Sequence, residues 1–147
     1  MILYLDTSAL VKLYIEEPGS ERVREALNEA PIVSTSRVAY VEARAGIARK
    51  RREGDLSERD HARVVDGLVR DWGNYFIVEV SESVAKLGGE LVERHPLRGF
   101  DAIHLASALL IRNRADLDVL FSSFDDRLNE AARAEGLKIR GAGGRAP

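Results

Sequence analysis

The chain has no cysteine. This excludes a disulfide framework and any thiolate metal site. No apolar run approaches the roughly 20 residues needed to cross a bilayer. The longest near-apolar stretch, Ile103 to Ile111, is interrupted by His104 and Ser107. A dominant charge of one sign is also missing. With 22 basic and 24 acidic residues the net charge is −2, which excludes holding nucleic acid by bulk electrostatics alone. The opening Met-Ile-Leu-Tyr-Leu-Asp has no basic leader and reaches an acid at Asp6. It reads as a first strand, not a signal peptide, and the expected location is the cytoplasm. What is present is ordinary for a soluble globular protein: 45% hydrophobic and 31% charged residues over 147 positions. That length suits one domain, which buries roughly 70% of its unfolded surface.

Strand and helix signals alternate along the chain. Ile2 to Leu5 is a short apolar run followed by the helix-capping types Asp6, Thr7 and Ser8. The spacing predicts helices over Ala9–Glu16, broken by Glu17-Pro18-Gly19, and over Ser20–Glu29. Pro31–Val33 is read as a second strand, and Ser34, Thr35 and Ser36 as caps for a long helix over Arg37–Glu53. Its apolar stripe is Val38, Val41, Ala45 and Ala48, with Glu42 on that stripe. Further helices are expected over Glu58–Arg70, from Ser81 or Ser83 to Arg94, over Ala102–Arg112 and over Asp126–Ala134. The helix over Ala102–Arg112 is apolar nearly all round and is expected to be central. Strands are expected over Phe76–Val80, Leu117–Phe121 and Leu137–Ile139. There is no internal repeat and no linker. The fold class that follows is α/β, a three-layer α/β/α sandwich with a central, mainly parallel sheet. One domain is expected over residues 1–140, with a glycine-rich flexible tail over 141–147.

Three aspartates, Asp6, Asp101 and Asp125, fall at strand ends or helix starts, and Glu42 lies on an inward helical face. In a parallel sheet such positions converge beyond the carboxyl ends of the strands. Two carboxylates about 4 Å apart repel by roughly 4 kcal/mol at an effective dielectric near 20, so the pocket must either take up protons or bind a cation. Oxygen-only donors favour a hard ion such as Mg²⁺, with Mn²⁺ as a substitute, and phosphoryl chemistry is the usual task of such a site. The plain structural alternative is that each aspartate only caps a helix and that Glu42 is paired with Arg37 or Arg44.

The motifs around these acids resemble those of PIN-domain ribonucleases, most closely the VapC toxins of toxin–antitoxin pairs. Leu5-Asp6-Thr7-Ser8-Ala9-Leu10-Val11-Lys12-Leu13-Tyr14, continued by Glu17-Pro18-Gly19-Ser20, resembles the first motif. Ser36 through Glu42 resembles the second, and Leu97-Arg98-Gly99-Phe100-Asp101-Ala102-Ile103-His104-Leu105-Ala106-Ser107-Ala108 the third. Ser123-Phe124-Asp125-Asp126-Arg127-Leu128 resembles the fourth. There Asp125 matches the acid, and Asp126 beside it stays a candidate. The resemblance covers residues 1 to about 139. It implies a metal-dependent endoribonuclease with Asp6, Glu42, Asp101 and Asp125 as catalytic and metal-binding residues. Ser8 and Ser123 would bind water or phosphate near them. One or two Mg²⁺ ions, a water nucleophile, and 5′-phosphate and 3′-hydroxyl ends are implied as well. The implied partners are RNA, a cognate antitoxin whose segment enters near the acidic pocket, and a second copy of the chain in a homodimer. Leu10, Leu13 and Tyr14 are the expected contact surface.

Other residues have plainer readings. His104, one turn after Asp101, is read as a buried, hydrogen-bonded histidine, and His61 and His95 as surface residues. Arg49-Lys50-Arg51-Arg52 ends a helix, where positive charge complements the macrodipole. Trp72 and Tyr75 are read as packing residues. Two other functions fit less closely: a housekeeping PIN nuclease without an antitoxin, and a non-catalytic module with an acidic ion site. An aspartyl phosphohydrolase would want a second Asp at position 8, which is Ser8.

Overall fold

The run Ile2–Leu5 forms β1, and all four of its residues are buried. A strand buried on both faces needs apolar residues without alternation, and this run supplies them. The computed structural model describes residues 1–140. After β1 come α1 (Thr7–Val11), α2 (Ser20–Glu29), β2 (Ile32–Ser36), α3 (Val38–Arg52) and α4 (Glu58–Trp72). They are followed by β3 (Phe76–Val78), α5 (Glu82–Arg94), α6 (Gly99–Ala115), β4 (Val119–Ser122), α7 (Asp126–Ala134) and β5 (Lys138–Ile139). The strands form one sheet in the order β3-β2-β1-β4-β5, and every pairing is parallel. Helices cover both faces.

The two-residue period of a strand sorts the core into its layers. Ile2, Tyr4, Val119 and Phe121 point to one face and pack with α5, α6 and α7. Leu3, Leu5 and Leu120 point to the other and pack with α1 to α4. Tyr4 stacks flat on Phe121, with centroids 5.7 Å apart. Helix α6 is buried at eight positions, including His104 and Ser107, as its apolar circumference requires. The chain runs outward from β1 through β2 to β3, then returns across to β4. The gap beyond the carboxyl ends of β1 and β4 is therefore a topological switch point, where open α/β sheets place their sites.

Several local expectations are corrected. Helix α1 ends at Val11, and residues 12–15 continue as turns, with Leu13 N–H donating to the Leu10 carbonyl and Tyr14 N–H to that of Val11. Strand β2 extends to Ser36 because its polar side chains find partners: Ser34 Oγ donates to the Phe76 carbonyl and Thr35 Oγ1 to that of Leu5. Ser36 Oγ still accepts from Val38 N–H at the start of α3. The buried stripe of α3 is Ala39, Ala43 and Ile47, whereas Val41 is 69% exposed. Alanine at 39 and 43 lets α3 approach α1 closely, and this turns Val41 and Ala45 outward. Along α4 the inward face expected at Ala62, Val65 and Leu68 or Val69 is shifted: Val64, Gly67 and Leu68 are buried, and Ala62 and Val69 are exposed. Helix α6 runs on to Ala115, where Asp116 ends it in the left-handed region (φ 54). The glycine-rich tail 141–147 lies outside the described residues. Among the described residues no helix is long and apolar enough to cross a membrane.

Candidate active site

Asp6 leaves β1 at the switch point. It caps α1, its Oδ1 accepting from Ala9 N–H at 3.0 Å. The β1–β4 register pairs Leu5 with Ser122, so Asp6 comes level with Ser123. Ser123 Oγ donates to Asp6 Oδ2 at 2.6 Å, and Ser8 Oγ donates to Oδ1 at 2.7 Å. Each hydroxyl also accepts a backbone N–H: Ser123 from Asp125, Ser8 from Phe124. Asp6 is 4% exposed, and these bonds are what make burying its carboxylate tolerable. Ser8 and Ser123 therefore spend their protons on Asp6 and tie the β4–α7 turn to it.

That turn carries Asp125, which caps α7 by accepting from Leu128 N–H at 3.1 Å. Asp101 sits in the first turn of α6. Partial burial, Asp125 and Asp6 together push the Asp101 carboxyl above its usual range. Asp101 thus feels both Asp125 and Asp6, although they are far from it in sequence. Asp101, Asp125 and Asp126 line a cleft of about 620 Å³ together with Ser8, Pro96, Arg98, Phe124 and Arg127. Asp126 is the exposed member of the doublet, while Asp125 is the one coupled to Asp101.

Asp6 is not among the residues that line this cleft, and nor is Glu42. The Glu42 Oε1 accepts from Thr7 Oγ1 at 2.5 Å and meets His104 Nε2 at 3.1 Å. His104 is 2% exposed, and its Nδ1 meets the Tyr4 hydroxyl at 2.9 Å. Burial pushes the Glu42 pKa upward, but the His104 and Thr7 hydrogen bonds outweigh it and hold the carboxyl below its usual range. Arg37 and Arg44 do not compensate Glu42: Arg37 pairs with Glu79, and Arg44 donates to the Tyr40 hydroxyl. Glu42 is connected to the aspartates through Thr7, the residue after Asp6.

No three His, Asp or Glu side chains among the described residues stand close enough to form a ready cage for an ion. The donor chemistry nevertheless fits a hard cation. Carboxylates from β1, α6 and the β4–α7 turn repel at Asp101, and a divalent ion between them would remove that cost. Two arginines that the motif reading assigned no role, Arg98 and Arg127, line the same cleft. Their only sequence signal is adjacency to the third and fourth motif acids. Thr7 reads locally as a helix-capping type, and its tertiary bond to Glu42 has no local signal.

The expected contact surface is corrected at Leu10, which is fully buried. Leu13 and Tyr14 are partly buried against the α1–α4 core, where the Tyr14 hydroxyl bonds Asp71 and Tyr75. The surface reading of His95 is corrected too, since it meets Glu135 at 2.6 Å and is largely covered. Lys50 and Arg51 of the basic run pair with Glu17 and Glu58. Trp72 packs edge-on to Tyr40 and Tyr75.

Residues 3–134 match the model of the PIN domain. The chain is 35% identical over 142 residues to Ribonuclease VapC45 of Mycobacterium tuberculosis, covering 94% of each chain. Among solved structures it resembles VapBC2 from Rickettsia felis bound to a promoter DNA fragment, with a TM-score of 0.66 at 16% identity over 96% of this chain and 98% of that one. It also resembles Mycobacterium tuberculosis VapC20, described as a Sarcin-Ricin loop cleaving toxin, with a TM-score of 0.64 at 17% identity over 92% and 95%. The chain belongs to the PIN-domain family, within the VapC ribonucleases.

Proposed function

We propose that this chain is the toxin of a toxin–antitoxin pair and hydrolyses RNA phosphodiester bonds in a Mg²⁺-dependent reaction, with Mn²⁺ as a substitute. The observation that carries this reading is that burial, Asp125 and Asp6 together raise the Asp101 carboxyl at the switch point. These three residues and Glu42 would hold the cation. When bound, it supplies a nucleophilic water and neutralises charge on the scissile phosphate. The chain does the rest. Ser8 and Ser123 fix both Asp6 oxygens. The N-termini of α6 and α7 direct partial positive charge towards their caps. Arg98 and Arg127 flank the acids on the cleft wall, where guanidinium groups suit RNA phosphates.

The solved neighbours that are VapBC complexes support an antitoxin partner; a cytoplasmic location and a homodimer are parts of the same reading. Among the exposed surfaces, the hollow of about 340 Å³ lined by Arg37, Tyr40, Val41, Val69 and Trp72 is mostly apolar and suits a protein partner. One nuclease domain would span residues 1–140. The test is cleavage of a structured RNA by the purified protein with and without Mg²⁺, beside Asp6→Asn. Mg²⁺-dependent cleavage that leaves 5′-phosphate ends and is lost in the variant supports the proposal. Equal cleavage by both proteins removes it.

A further inference from the structure

The polar chain Tyr4–His104–Glu42–Thr7 is buried at Tyr4 and His104 and partly exposed at Glu42 and Thr7, and no step above uses His104. With a neutral ring, one arrangement gives every donor an acceptor. The Tyr4 hydroxyl donates to Nδ1 (2.9 Å), and Nε2–H donates to Glu42 Oε1 and Thr7 Oγ1 (3.1 Å each). Thr7 Oγ1 then donates to Glu42 Oε1. Both contacts fall on the same carboxylate oxygen. Oε2 makes no hydrogen bond among the described residues, and the side chain is 29% exposed. A glutamate on a helix would otherwise sample several rotamers and lose side-chain entropy when fixed. Here a rigid imidazole, edge-on to Tyr4 with centroids 5.9 Å apart, has already fixed it.

We propose that His104 is a positioning residue for RNA cleavage: it and Thr7 clamp Glu42 Oε1 so that Oε2 is presented as a free ligand towards the cation or the attacking water. This rests on the nuclease reading above. His104 touches neither substrate nor cation; it acts through Glu42. Tyr4 lies on β1 just before Asp6, and His104 lies on α6 one turn after Asp101. The same two elements that deliver the aspartates therefore also set the glutamate.

The two amides closest in shape to histidine separate the two ends of the ring. In His104→Gln the amide reaches the place of Nε2 and keeps a donor for Glu42. In His104→Asn it reaches only the place of Nδ1 and keeps the Tyr4 contact alone. The measurements are kcat and KM for RNA, Mn²⁺ affinity by calorimetry, and Tm. His104→Asn is expected to lower kcat and weaken Mn²⁺ binding by about 10- to 100-fold, the usual cost of losing a group that orients a metal ligand, with KM unchanged. His104→Gln is expected to recover most of both losses. His104→Asn combined with Glu42→Gln is expected to be no worse than Glu42→Gln alone, because both act through one oxygen pair. Equal losses in the two amide variants that follow Tm would overturn the proposal, as would losses that multiply in the double variant. Inactive Glu42→Gln beside fully active His104→Asn overturns this inference alone. Wild-type cleavage by Glu42→Gln overturns it together with the glutamate's assigned role.

Discussion

Ser123 and Asp6 stand 117 residues apart in sequence and share a 2.6 Å hydrogen bond. This bond fastens the end of β4 to the end of β1 across the switch point, and the same hydroxyl accepts the N–H of Asp125. Removing it leaves a buried carboxylate oxygen and a backbone N–H short of a partner, a penalty of about 1–3 kcal/mol. Ser123→Ala should therefore lower Tm by several degrees and reduce kcat for RNA, whereas Ser123→Thr, which keeps the hydroxyl, should retain more of both. Thermal melts beside single-turnover cleavage check this.

Asp101 has the opposite sign. Its folded-state pKa is raised, so its favourable contribution is fully present below the ordinary value of 3.8 and is lost as pH rises through the raised one. At neutral pH the ionised group is a liability. Asp101→Asn should melt higher than the wild type in chelator at pH 7. The gap should narrow as pH falls towards the ordinary value, and close or reverse with saturating Mg²⁺. Cleavage should be lost throughout. Melting curves across pH, with and without Mg²⁺, read this directly.

How much of this was legible beforehand follows from where each signal resides. The bounds of α2 and α7 are local: Pro18-Gly19 precedes one and Asp125 caps the other, and both helices appear where the spacing places them. The positions of Asp6 and Asp125 follow from strand-end placement in a parallel sheet, whereas Asp101 begins a helix that follows another helix and reaches them only through the packing of α6. The buried face of α3 was not legible, because Ala39 and Ala43 differ little from Ala45 and Ala48 as core candidates. Only the approach of α1 selects between them. The partners of Glu42 were hidden for a similar reason: its nearest sequence cations, Arg37 and Arg44, face Glu79 and Tyr40 instead. Thr7 and His104 reach it only through the tertiary fold.

Arg98 and Arg127 sit on the cleft wall beside the acids. If each neutralises one RNA phosphate, single alanine substitutions should raise KM with little change in kcat. Each should also reduce the salt slope of RNA binding by about 0.7, the single-strand value per contact. Fluorescence anisotropy on the Asp6→Asn background, at several salt concentrations, measures this without cleavage.

Gly19 has φ +99, and a Cβ there would lie 2.4 Å from the Phe124 ring. That ring also faces Lys12 Nζ at 4.7 Å from its centroid and precedes Asp125. Gly19→Ala combines a left-handed backbone with this clash and should cost more than about 1 kcal/mol. Cleavage should fall further than the loss of folded protein explains, because Phe124 must shift beside Asp125. Replacing Gly54, which has φ +86 but open space around it, should strain the backbone and leave cleavage per folded molecule unchanged.

Calorimetric titration of Mn²⁺ into the wild type and into Asp6→Asn, Asp101→Asn and Asp125→Asn tests most directly whether the three aspartates serve one cation. The account predicts saturable binding by the wild type and affinity weakened at least about 10-fold in each variant, with all four proteins folded. Wild-type affinity in all three variants, or no binding by the wild type, would contradict it.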